Sequence, residues 1–145
     1  EMTSRDWSSD VCSSDLDGCG AEVTVSHFFN NMPELYAGTH LIISRAGASS
    51  VSEIAAVGIP SILVPLPIAA DDHQTANARE IGDAKAGIVL KQKDFTPAKL
   101  GELLKDLMSS PKKLSQMSEN AKSVGITDAA VRFADAVEKE ILSRP

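Results

Sequence analysis

Aromatic side chains are scarce in this chain of 145 residues: they make up 4%, with one Trp, one Tyr and four Phe. That leaves little surface for stacking nucleic-acid bases. Basic residues are also in deficit, with 14 Lys and Arg against 20 Asp and Glu and a net charge of −6. A phosphate backbone is held by a basic face, so nucleic acid is not the expected partner. Only two cysteines are present, too few for a disulfide framework, and neither sits in a metal-type cluster. His27, His40 and His73 are scattered, and Cys19 has no cysteine nearby, so no metal site is expected. The longest apolar runs, such as Ile59 to Leu66, are short and broken by proline, which excludes them as membrane spans. No basic-then-apolar leader opens the chain, so no secretory signal is expected. What remains is ordinary for a globular protein: 43% hydrophobic and 23% charged residues, in a length that suits one domain.

Residues 1–16 do not read like the rest. They are rich in Ser and Asp and have no helical or strand period. Asp6 to Leu16 (DWSSDVCSSDL) resembles the translation of a sequencing adapter joined in frame to a gene. The expectation is a non-native segment, 1–16, followed by a native part, 17–145, that continues a longer protein on its N-terminal side. The segment carries Trp7, Cys12, the acids Glu1, Asp6, Asp10 and Asp15, and the base Arg5, so half of the −6 charge belongs to it.

From Asp17 onward strands and helices alternate. Ala21 to Ser26 is a short β-rich run. Met32 to Ala37 suits a short helix. His40 to Ser44 is apolar without alternation, as in a strand buried on both faces. A helix is expected from Ser50 to Val57, stopped by Gly58 and Pro60. Ser61 to Pro65 and Gly87 to Lys91 are further strands, with a helix from Asp72 to Ile81 between them. Thr96 and Pro97 then read as an N-cap and first helical residue. Leu100, Leu103, Leu104, Leu107 and Met108 follow on one helical face. Pro111 opens a helix that ends near Val124, and Asp128 caps a third. That last helix is expected to bury Val131, Phe133, Ala134, Val137 and Ile141. This alternation predicts an α/β fold with a parallel sheet, followed by C-terminal helices. Ligands in such sheets bind beyond the carboxyl ends of the strands, so the loops after Ser26, Ser44 and Pro65 are where chemistry is expected.

Three stretches there can carry it. Ser44 to Glu53 (SRAGASSVSE) is a strand end, a small-residue turn and a helix start. Gly47 and Ala48 let another group approach the backbone, and the helix N-terminus suits a phosphate or diphosphate, with Ser49 and Ser50 adding hydroxyls. On spacing alone, however, Ser50-x-x-Glu53 is better read as a capping box. The second stretch is Asp71 to Asn77 (DDHQTAN). His73, Gln74 and Asn77 suit sugar hydroxyls, although a solvated helix start capped by Asp71 or Asp72 is the simpler reading. The third is His27 to Met32, where Phe28, Phe29 and Met32 either flank a planar base or join the core. No GxGxxG follows a strand, which disfavours a nicotinamide-binding module. The P-loop lysine and the Gly-x-Ser-x-Gly elbow are missing as well.

Taken together, the three loops resemble one family. SRAGASSVSEIAAVGIPSILVP (Ser44 to Pro65) and DHQTANA (Asp72 to Ala78), with FFNNM before them, are similar to the C-terminal half of the MurG family of bacterial glycosyltransferases. The resemblance runs from about Ala21 to the last helix. It implies an incomplete Rossmann-like sheet, a partial C-terminal domain of a GT-B glycosyltransferase. It also implies inverting transfer of GlcNAc from UDP-GlcNAc to lipid I, giving lipid II for peptidoglycan, with no metal or cofactor. Glu53 would hold the two ribose hydroxyls, which a carboxylate can accept at once. Ser49 and Ser50 would meet the diphosphate. Phe29 would read the uracil through its backbone, with Phe28 and Met32 around the base. His73 and Gln74 would contact GlcNAc, Asn77 would support them, and Arg45 would steady its loop. His73 stands where many family members carry Gln.

The resemblance also implies what is missing. The acceptor domain, with the presumed base and the patch that meets the cytoplasmic face of the inner membrane, has no counterpart here, and neither do the first two strands of the donor domain. No catalytic residue is therefore assigned within the chain, lipid I and the membrane would be met through the missing domain, and inactivity alone is expected. The competing reading is a non-catalytic UDP-GlcNAc-binding subunit that works with a separate membrane subunit. In the doubly wound order 3-2-1-4-5-6, the strands present would be the third to the sixth. The third, Glu22 to Val25, is then expected either unpaired or displaced onto Leu41 to Ser44.

Overall fold

The computed structural model describes residues 20–26, 28–67 and 72–142. His27 and Asp71, and residues 1–16, for which a non-native origin is expected, lie outside the described residues. The chain divides into two compact units, Glu1–Leu35 and Tyr36–Pro145.

The second unit holds the sheet. Strands β1 (Ile42–Ser44), β2 (Ser61–Leu63) and β3 (Gly87–Val89) pair in parallel in the order β1-β2-β3. Ile42 lies beside Ser61 and Ser44 beside Leu63; Ser61 lies beside Gly87 and Leu63 beside Val89. These are the three strands expected to be neighbours, and they pair side by side. Each is shorter than its apolar run. Pairing continues one residue further through Val64 N–H to Ser44 O at 2.8 Å and Leu90 N–H to Leu63 O at 2.9 Å. It stops where Pro65, which has no N–H, follows Val64.

Helices cover both faces. After α1 (Met32–Gly38) come α2 (Ala48–Val57), α3 (His73–Asp83), α4 (Pro97–Met108), α5 (Pro111–Val124) and α6 (Ala129–Leu142). Side chains alternate across β2, so Leu63 and Ile62 serve different faces. Leu63 joins Val51 and Ile54 of α2, Ala78 and Ile81 of α3 and Ala121 of α5. Ile62 and Val64 join Leu107 of α4 and Met117 of α5, with Leu100, Leu103 and Leu104 half-buried around them. All three β2 residues are buried, which is why this strand reads as a continuous apolar run.

Local signals act as the sequence predicts at several ends. Thr96 Oγ1 accepts the Lys99 N–H at 3.2 Å and caps α4, with Pro97 as its first residue. Gly58 ends α2 in the left-handed region at φ +83°, where a side chain would also meet Lys122. α5 then ties down both neighbouring helix ends. Ser118 Oγ donates to Gly58 O at 2.7 Å, and Asn120 Nδ2 donates to Lys85 O at 3.2 Å.

β1 is not buried on both faces as expected, since Ile43 is exposed on this edge strand of the described sheet. Three further expectations need correction. Ala21 to Ser26 is not a strand, and Val23 and Val25 are exposed. Strand dihedrals without a neighbouring ladder leave backbone groups unpaired, so β propensity alone does not make a strand. Of the two outcomes expected for Glu22 to Val25, the structure shows the one outside the sheet. Second, Met108 ends the apolar stripe of α4 but is exposed, at the last helical residue. Third, α6 forms where expected but buries none of its residues. Val131, Phe133, Val137 and Ile141 are exposed, Phe133 by 73%, and Ala134 with them. An amphipathic pattern shows that a face suits an apolar mate, not that the mate lies nearby in the chain. Among the described residues nothing covers this face.

Candidate functional site

The carboxyl ends of β1 and β2 open onto the turn Arg45–Gly47 and the loop after Pro65. α2 starts directly from that turn. Gly47 is its N-cap residue, with extended backbone (φ −65°, ψ 148°) and no side-chain capping bond. The first bond of the helix ladder runs from Val51 N–H to Gly47 O at 2.9 Å. The N–H groups of Ala48, Ser49 and Ser50 therefore stand outside that ladder, at the positive end of the helix dipole. A Cβ on Gly47 would find only Ser50 Oγ within 4 Å, at 3.8 Å. Neither backbone angle nor protein packing requires glycine at this position, so the open space above it faces outward.

The capping box does not form. α2 begins two residues before Ser50, which makes Ser50 part of the first turn and not its cap. The Glu53 carboxylate is engaged elsewhere: the Tyr36 hydroxyl donates to Glu53 Oε2 at 2.9 Å. The reading favoured by spacing alone is thus overturned. Small residues before Ser50 allow the helix to start early, which displaces the motif into the helix body. Ser49, Ser50 and Glu53 then share one side of α2, because residues three and four apart are neighbours on a helix. Ser49 and Glu53 are exposed and Ser50 is half-buried.

Side-chain bonds to backbone bring α3 against the same strand ends. Asn77 Nδ2 donates to Ala46 O at 3.0 Å, and Gln74 Oε1 accepts the Leu66 N–H at 3.0 Å. Gln74 keeps its NH₂ donors for another group. His73 is the first, exposed residue of α3. Asp72 precedes it in the left-handed region at φ 54° and makes no side-chain capping bond, so the expected cap is not used. Arg45 spans the sheet end: its guanidinium donates to Val64 O at 3.2 Å and bonds to Gln92 Oε1, beyond β3. It steadies the loop as expected, through partners that lie 19 and 47 residues away.

The structure thus gathers Ser49, Ser50, Glu53, Gln74 and Asn77 around one strand-end turn, with His73 heading the helix that carries the last two. Phe28, Phe29 and Met32 belong to the other unit. There Phe28 is exposed, Phe29 half-buried, and Met32 opens α1. Ser26 Oγ donates to Phe28 O at 2.7 Å and accepts the Phe28 N–H at 3.3 Å, a local turn that holds the aromatic loop.

Two contributors escape sequence reasoning. Tyr36 carries no local motif; its only mark is that it is the single tyrosine in the chain. Gln92 lies in a short 3-10 turn, Gln92–Asp94, without any signal. The Tyr36 hydroxyl is itself shifted in its titration. Burial, followed by the hydrogen bond and negative charge of Glu53, holds its hydroxyl above the usual tyrosine range. Among the described residues no group of three His, Cys, Asp or Glu is placed to hold a metal ion. No helix among them is long and apolar enough to cross a membrane.

Known proteins resemble this chain over most of its length. The family described as the glycosyltransferase family 28 C-terminal domain matches residues 2–133. A protein from Granulibacter bethesdensis is 46% identical over 123 residues, 85% of this chain and 32% of that protein. It is named a UDP-N-acetylglucosamine–N-acetylmuramyl-(pentapeptide) pyrophosphoryl-undecaprenol N-acetylglucosamine transferase. A Rhodospirillum rubrum protein of the same name is 47% identical over 118 residues, 81% of this chain and 30% of that one. Among solved structures, MurG from Acinetobacter baumannii superposes with a TM-score of 0.75 at 38% identity, over 80% of this chain and 33% of that one. The chain spans about a third of the length of the relatives it matches.

Proposed function

The chain belongs to the glycosyltransferase family 28 C-terminal domain family, and we propose that it is the donor-binding part of an enzyme that transfers GlcNAc from UDP-GlcNAc to lipid I, forming lipid II. The observation that carries this reading is the layout of α2. Unladdered N–H groups and two hydroxyls stand at its start, and an exposed carboxylate lies on the same side one turn further along. One helical turn advances about 5.4 Å. A nucleoside diphosphate presents its charges and its ribose hydroxyls in that order, an anion for the helix start and a diol for the acid.

In this reading Ser49 and Ser50 meet the diphosphate, and Glu53 accepts the ribose hydroxyls. His73 and the NH₂ group of Gln74 meet GlcNAc hydroxyls, and Asn77 keeps α3 in place through Ala46. By resemblance, Phe29 meets the uracil and Phe28 and Met32 flank it. As the bond from the sugar to the diphosphate breaks, negative charge grows on the leaving UDP, and the α2 start is where fixed dipoles stabilise it. The acceptor's hydroxyl is deprotonated by a base outside this chain. Lipid I and the cytoplasmic face of the inner membrane are likewise met by the remaining two thirds of such a protein.

Calorimetric titration tests this reading. UDP and UDP-GlcNAc are expected to bind the purified chain and NAD is not. Binding of NAD with no response to UDP would overturn the reading.

A further inference from the structure

The contact between Tyr36 and Glu53 constrains the residue on which the donor reading depends most. Glu53 is exposed. A glutamate in solvent rotates about three side-chain bonds, and the last of them has only a broad preference. It has no capping partner within α2. Its orientation is set instead by a hydroxyl 17 residues earlier, 2.9 Å from Oε2. The donor is itself anchored. Tyr36 is half-buried and packs against the core cluster that includes Ile54 and Ile59, alongside Ile42 of β1. Its carbonyl accepts the Thr39 N–H at 3.1 Å, which closes the end of α1.

We infer that Tyr36 is a positioning residue for donor recognition: its hydroxyl holds the Glu53 carboxylate in the orientation that receives the ribose diol, and so sets the preference for ribose over deoxyribose nucleotides. This inference rests on the reading of Glu53 as the ribose ligand. The stoichiometry of the hydrogen bonds allows it. A carboxylate has about four acceptor positions. The Tyr36 hydroxyl takes one, on Oε2, and a cis-diol needs two. A held carboxylate facing a ribose that lacks its 2′-hydroxyl keeps an acceptor desolvated and unpaired, and that penalty is what discriminates. A carboxylate free to swing turns back to water and discriminates less. A tyrosine hydroxyl keeps its proton across the neutral range, so Tyr36 is available as the donor.

The test compares UDP and 2′-deoxy-UDP binding to the parent chain, Tyr36→Phe, Glu53→Gln and the double variant, by calorimetry, with melting curves for each. Phenylalanine keeps the ring in the core and removes only the donor. Tyr36→Phe is expected to weaken UDP binding roughly threefold to tenfold, the range of one hydrogen bond. It should affect 2′-deoxy-UDP less, so the ratio of the two affinities falls. In the Glu53→Gln background the same change should leave that ratio where it is, because Tyr36 acts through Glu53. If Tyr36→Phe lowers both affinities equally, or lowers only the melting temperature, the bond is structural and the inference is overturned while the donor reading stands. If Glu53→Gln leaves the ratio of the parent chain intact, the assignment of Glu53 fails, and the inference fails with it. Absence of UDP binding by the parent chain overturns both.

Discussion

The side-chain amide of Asn77 donates to the carbonyl of Ala46 at 3.0 Å, joining the second turn of α3 to the turn that follows β1. Ala46 is fully buried and Asn77 half-buried. The bond therefore ties the buried turn after β1 to α3. Asn77→Ala leaves a buried carbonyl without this donor, and it is expected to destabilise the fold by about 1–2 kcal/mol. It should also weaken UDP binding, since Gly47 and the start of α2 follow Ala46 directly. Urea unfolding with a parallel UDP titration checks both. Unchanged stability would mean that the turn is held without Asn77.

Ser61 offers the opposite case. Its hydroxyl is buried in the middle of the sheet and has no hydrogen-bond partner among the described residues. Its neighbour on β3 is Gly87, where a Cβ would come within 2.8 Å of the Ser61 carbonyl oxygen. Ser61→Ala removes an unsatisfied polar atom and is expected to be neutral, or stabilising by up to about 1 kcal/mol. Ser61→Val adds volume where β2 and β3 are already tight, and should cost about 1–3 kcal/mol. Denaturant midpoints distinguish these outcomes, and a loss of stability in the alanine variant would contradict the unsatisfied hydroxyl.

Tyr36 links the site to alkaline pH. Its titration point is raised in the folded chain, first by burial and then by the hydrogen bond and charge of Glu53. The folded state therefore holds the phenolic proton more tightly than the unfolded state. The resulting stability is fully present below the unfolded value of roughly 10 and is lost as pH rises through the folded value. Tyr36→Phe lacks this component, so the stability of the parent chain should fall more steeply than that of the variant above about pH 10. Because Tyr36 is the only tyrosine, tyrosinate absorbance in the parent chain reports its titration directly. Parallel stability curves for the two proteins would refute the assigned shift.

Hydrogen exchange is expected to rank the strands by their neighbours. β2 pairs on both sides and is wholly buried, so amides 61–64 should exchange most slowly. β1 is an edge strand among the described residues, with Ile43 exposed, and should open sooner. Amides 22–25 lie outside the sheet and should exchange fastest. Strong protection at 22–25, matching that of β2, would show that this run is a strand after all.

The sequence was legible where one short stretch contains both the signal and its consequence. The Thr96-Pro97 start of α4, the Gly58 stop of α2 and the uninterrupted apolar run of β2 all appear as read. In each case the group satisfied lies within a few residues, or the whole strand is buried. The alternation of strand and helix also determined a parallel sheet, because parallel neighbours need a crossover.

Tertiary structure decided what depended on distant partners. The Ser50-x-x-Glu53 pattern satisfies a capping box by spacing, yet Glu53 is claimed by Tyr36, whose position depends on how α1 packs. Ala21 to Ser26 has the composition of a strand, yet no ladder accepts it among the described residues. The stripe of Val131, Phe133, Val137 and Ile141 determines that α6 has an apolar face, but no neighbour within the described residues covers it. Backbone preferences and side-chain periods are properties of a segment, so the sequence carries them by itself. Hydrogen-bond partners and burial belong to pairs of segments, and only the folded arrangement assigns them.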